Sequence, residues 1–124
     1  MTYLENLRYY QKEAVENIYE FFKSDKCKAK MYISTGLGKT LIIAVAIQTI
    51  LKNNNASILI LSSRSMLCKQ IKAAVFQMIE YVNIATHVRE LKEQKILITT
   101  YQDVIKNRLN FSRFDFMICD EAQF

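Results

Sequence analysis

Ile33-Ser34-Thr35-Gly36-Leu37-Gly38-Lys39-Thr40 holds both glycines of a 124-residue chain that contains no proline. Glycine used this sparingly marks backbone that needs positive φ or must admit a close neighbour. Upstream, Lys28-Ala29-Lys30-Met31-Tyr32-Ile33 reads as a short strand, and downstream Leu41 to Leu51 is apolar nearly all round, as in a helix buried on several sides. Strand, glycine turn and helix are the setting of a phosphate-binding loop. Successive backbone N–H groups and the helix N-terminus make a concave anion site, Lys39 reaches β and γ oxygens, and Thr40 offers a hydroxyl to Mg²⁺. The general pattern G-x-x-x-x-G-K-[ST] would put glycine at position 33, where this chain has Ile33. Gly36-Leu37-Gly38-Lys39 alone also fits an ordinary turn between a strand and a helix.

The flanking segments alternate between helix and strand periods. Val15, Ile18, Tyr19 and Phe22 fall at helical spacing within 7–23. Ser57-Ile58-Leu59-Ile60-Leu61 is a continuous apolar run of the kind covered on both faces of a parallel sheet. Ser62 or Ser63 then caps a helix with Leu67, Ile71, Ala74, Val75 and Met78 on its inner face. A weak strand at 82–88, a stronger one at Ile96-Leu97-Ile98-Thr99, a short helix over 104–109 and a strand at Phe116-Met117-Ile118-Cys119 follow. This order predicts a single α/β domain with a mainly parallel sheet flanked by helices. The last strand ends in Asp120-Glu121. An acidic pair is often only a solvated strand end, but downstream of Gly-Lys-Thr by several βα units it is where an aspartate holds Mg²⁺ and a glutamate orients water.

Composition narrows the class. Apolar residues are 51% and charged residues 23%, which fits a globular chain, and no apolar run is long enough to cross a bilayer. The N-terminus carries no secretory signal, so the cytoplasm is the expected compartment. Cys27, Cys68 and Cys119 are scattered and read as buried, reduced thiols. His87, the only histidine, has no partner at metal-ligand spacing. A net charge of +5 is compatible with a polyanionic partner.

Five stretches in order resemble the successive motifs of superfamily-two helicases, most of all the restriction-enzyme translocase (type III res subunit) and DEAD/DEAH-box branch. They are Leu7-Arg8-Tyr9-Tyr10-Gln11, then Ser34 to Thr40, Ile60-Leu61-Ser62-Ser63-Arg64 to Gln70, Thr99-Thr100-Tyr101-Gln102, and Asp120-Glu121-Ala122-Gln123. The likeness spans residues 7 to 123, and the missing first glycine is usual in that group. It implies a RecA-like P-loop NTPase domain over 1–124, the first of two motor domains and incomplete at its C-terminus, with the second domain absent from this chain.

The resemblance also implies roles. Gln11 would read adenine; Thr35, Gly36, Leu37, Gly38, Lys39 and Thr40 would hold the phosphates, Lys39 also serving in catalysis. Thr40 and Asp120 would hold Mg²⁺, Glu121 would act as catalytic base, and Gln123, where the family more often has histidine or aspartate, would couple nucleotide state to motion. Arg64 and Thr100 would touch nucleic acid, although Arg64 is equally readable as a solvated arginine. Tyr9 and Tyr10 either pack the first helix or frame the base. The expected function is the ATP-binding part of a nucleic-acid-dependent ATPase, a helicase or DNA translocase of a restriction or repair system, nearly inactive alone. The alternative is a module that binds nucleotide or nucleic acid without hydrolysis. ATP and Mg²⁺ are the expected ligands. DNA in preference to RNA and a second RecA-like domain are the expected partners, with no membrane.

Overall fold

A computed structural model of the chain describes residues 9–24, 29–34, 39–79 and 83–121. Its elements are α1 (Tyr9–Lys23), β1 (Ala29–Ser34), α2 (Lys39–Asn53), β2 (Ile58–Ser62), α3 (Ser65–Met78), β3 (Ile84–Ala85), β4 (Ile96–Thr100), α4 (Tyr101–Lys106) and β5 (Phe116–Glu121). Short 3₁₀ turns lie at Val88–Glu90 and Phe111–Arg113. The strands form one sheet in the order β1-β5-β2-β4-β3, and every pairing is parallel.

The period of two along each strand builds two cores. Ile58, Ile60, Ile96, Ile98, Phe116 and Ile118 face the layer of α1, α2 and α3. Leu59, Leu61, Leu97 and Cys119 face a smaller cluster with Val104 and Phe114. β2 is buried along its whole length, which accounts for its lack of apolar/polar alternation. In the same way α2, apolar nearly all round, lies between α1 and α3, and Ile42 to Ile47 and Ile50 are all buried. α1 turns Gln11, Val15 and Ile18 inward at spacings of four and three, and its Phe21 and Phe22 rings meet Phe116 at 6.2 and 5.6 Å.

Local details depart from the sequence expectations. The α3 N-cap is Arg64, not a serine, and Ser62 instead accepts a hydrogen bond on Oγ from the Arg64 backbone N–H at 3.1 Å. α4 starts at Tyr101, three residues before the expected helix, because Thr100 Oγ1 accepts from the Asp103 N–H and fixes the first turn there. The weak strand shrinks to two residues. Tyr9 is 83% exposed and Tyr10 49%, so Tyr9 packs little of the helix and Tyr10 has about half its surface covered. Cys68 and Cys119 are buried and form no disulfide, whereas Cys27 falls outside the described residues.

Candidate functional site

Parallel strands all point their C-terminal ends the same way, so the motifs that follow them gather at one edge of the sheet. The register makes this specific. Ile33 pairs with Asp120 and Ser34 with Glu121, so the acidic pair stands beside the end of β1, where the chain leaves for the glycine loop. Five residues after Ser34, α2 opens at Lys39, with Thr40 in its first turn. On the far side of β5, Leu61 pairs with Cys119, and Ser62 with Thr100 on β4, so the Ser62-Ser63-Arg64 and Thr99-Thr100 segments continue the same edge.

Of the residues singled out from the sequence, Lys39, Thr40, Asp120, Glu121, Arg64 and Thr100 therefore belong to elements that meet at this edge. A threonine hydroxyl and an aspartate carboxylate are hard oxygen donors of the type Mg²⁺ takes, so the residue types present fit that ion. Gln11 is only 7% exposed and occupies the core stripe of α1. Thr35, Gly36, Leu37, Gly38 and Gln123 lie outside the described residues.

Further along the edge, between α3 and β4, lies a cavity of about 300 Å³ lined by Ser65, Cys68, Lys69, Lys72, Thr86, His87, Ile98, Thr99 and Thr100. Its rim is basic and its floor apolar. Ser65, Lys69 and Lys72 stand at spacings of four and three, one face of the first two turns of α3. The Arg64 side chain makes no capping hydrogen bond at that helix start, and Arg64 is exposed. First-turn N–H groups, two ammonium groups and a threonine hydroxyl together suit an anion such as a phosphate. Below them Cys68 is 7% exposed, and burial pushes its thiol up to about 11.

Sequence reasoning missed Lys69 and Lys72 because the apolar stripe of α3 was the pattern sought, and their face is the complementary one. It also missed Asp103, although Thr100-x-x-Asp103 before apolar residues is a capping-box pattern. His87 has an exposed side chain on the cavity wall.

An all-parallel sheet with helices on its faces, a glycine-lysine-threonine sequence after its first strand and an acidic pair beside that strand define a RecA-like α/β domain. A family model described as "Type III restriction enzyme, res subunit" matches residues 4–122, and the chain belongs to that family, as an ATP-binding module of helicase type. No curated protein matches the chain.

Proposed function

We propose that the chain is the ATP-binding part of a nucleic-acid-dependent ATPase, a helicase or DNA translocase that works with a second RecA-like domain. The observation that carries this reading is the pairing of Ser34 with Glu121 and of Ile33 with Asp120, because it brings the acidic pair beside the end of the strand that leads into the Gly36–Lys39 sequence. Lys39 neutralises charge on the β and γ phosphates, assisted by backbone N–H groups of residues 35–40. Thr40 and Asp120 would hold Mg²⁺, which when bound neutralises phosphate charge. Glu121 orients the attacking water and accepts its proton, and Gln123 relays the state of the site. Gln11 is assigned to the adenine edge from the family resemblance, since an amide presents a donor and an acceptor together. To meet a base from the core stripe of α1, where Gln11 is 7% exposed, its side chain has to turn outward. Hydrolysis at useful rates calls for arginines from the second domain, so residues 1–124 alone bind ATP with turnover near background.

The nucleic-acid partner is assigned to the α3/β4 end of the same edge. There Arg64, Lys69, Lys72 and the Thr100 hydroxyl offer contacts to a phosphate backbone, which position a strand without reading its sequence. Counterion release makes such binding salt-dependent, at roughly 0.9 log units of affinity per log unit of salt for each duplex phosphate contacted. Fluorescence anisotropy with labelled duplex and single-stranded DNA tests this. Lys69→Ala and Lys72→Ala should each weaken binding and flatten the salt slope by about one unit. An unchanged slope in both folded variants would remove the cavity from the proposal.

A further inference from the structure

We infer that Asp103 is the positioning residue of the basic cavity, holding two of its walls in the arrangement that receives a phosphate. The inference rests on reading that cavity as a nucleic-acid site. Asp103 Oδ2 accepts from the Thr99 hydroxyl at 2.7 Å and from the Val88 backbone N–H at 2.7 Å. Its Oδ1 accepts from Asn107 Nδ2 at 2.8 Å, and its own N–H donates to Thr100 Oγ1 at 3.2 Å. Thr99, Thr100 and His87, the residue before Val88, all line the cavity. One side chain thus joins the end of β4, the start of α4 and the turn that carries His87.

This is more than a helix cap requires. In a capping box the acidic side chain reaches back to the N-cap backbone N–H. Here the carboxylate serves a buried hydroxyl and a backbone group 15 residues away instead. Bonds to an ionised acceptor are short and strong, and Thr99, at 2% exposure, has to place its proton on an acceptor. The His87 turn depends on this tie, because β3 offers the sheet only the pairs Ile84–Ile96 and Ala85–Leu97. Within the turn, Glu90 accepts from the Thr86 N–H at 3.0 Å and from its hydroxyl at 2.9 Å, which draws the Glu90 carboxyl below its ordinary range. That contact shapes the turn, and Asp103 fastens it to β4. Because Thr100 Oγ1 accepts from Asp103, the hydroxyl keeps its own proton to donate to a phosphate oxygen.

The geometry needs an acceptor at 103 rather than a charge, and a carboxylate near a phosphate is mildly repulsive. Asp103→Asn can keep the Thr99 and Val88 bonds on its amide oxygen and loses only the Asn107 contact to the side chain, since Asn107 Nδ2 stays on the residue 103 carbonyl, 3.0 Å away. It should therefore bind labelled DNA close to the wild-type level. Asp103→Ala should weaken DNA binding about tenfold, as expected when the Thr99 hydroxyl and the Val88 N–H lose their acceptor. Thr99→Val, which removes one donor while keeping the shape, should fall between them. Affinity for a fluorescent ATP analogue should stay unchanged in all three, a split that general destabilisation would not produce. Should Asp103→Ala fail to fold, Thr99→Val and Asp103→Asn decide alone. DNA affinity at the wild-type level in Asp103→Ala or Thr99→Val, with Lys69→Ala still weakened, would reduce Asp103 to a helix cap and leave the cavity reading intact. A loss in Asp103→Asn as deep as in Asp103→Ala would equally overturn the inference. If Lys69→Ala and Lys72→Ala bind normally, the cavity reading falls and the inference with it.

Discussion

Cys68 shows how a single residue registers its surroundings. Its thiol lies under the lysines of α3, and burial disfavours the thiolate enough to raise the group from 9.0 to about 11. Between those values the unfolded chain releases the proton and the folded chain keeps it. The contribution to stability is therefore complete below about pH 9 and is lost as pH rises toward 11. Urea unfolding followed across this range should show wild-type stability falling more steeply than that of Cys68→Ala. Parallel curves for the two proteins would mean that the thiol is not held neutral by the fold. The sequence marked this cysteine as a buried, reduced thiol, because three scattered cysteines fit neither a disulfide framework nor a C-x-x-C metal site. Its place beneath a basic rim was not legible, since that depends on how α3 docks against β4.

α4 is the element in which composition and conformation conflict most openly. With both glycines in the phosphate-type loop, its exit is made by Arg108 at φ 50°, where the left-handed region strains any residue with a Cβ. The reversal is closed by the Leu109 N–H on the Val104 carbonyl at 3.2 Å. Arg108→Gly should raise stability by roughly 0.5–1 kcal/mol, the relief of strain being partly offset by added freedom in the unfolded chain. Equilibrium denaturation measures it, and a destabilised variant would contradict the assigned backbone. Elements whose cause is burial were easy to read. Ile58 to Leu61 and Ile42 to Ile47 are apolar on all sides because packed elements cover all sides. Elements whose ends depend on one local hydrogen bond were not. The starts of α3 and α4 turn on where Ser62 and Thr100 place their oxygens, and several nearby serines and threonines offered the same signal.

At the scale of the whole molecule, the sheet order puts β5 between the strand that leads to the glycine loop and the strands that lead to the basic cavity. Neighbouring strands are about 4.8 Å apart, so the ends of β1 and β4 are separated by roughly 14 Å across three steps. Asp120 and Glu121 stand between them, one strand from the loop and two from Thr100. Such closeness would let one edge serve both the nucleotide site and the nucleic-acid site proposed above. The ordered motifs carried this much in advance, because Gly-Lys-Thr and Asp-Glu each follow a strand and parallel strands must end together. The basic cavity did not show, because its lysines, its histidine and Asp103 come from separate segments that only the β3–β4 pairing and α3 packing bring into contact. The central claim is that the β1/β5 end of this edge binds ATP through Lys39 and leaves hydrolysis to Glu121. Titration of the chain with a fluorescent ATP analogue in Mg²⁺ tests it most directly: wild type and Glu121→Gln should bind alike, and folded Lys39→Ala should lose most of its affinity. Equal affinity in wild type and Lys39→Ala would contradict it.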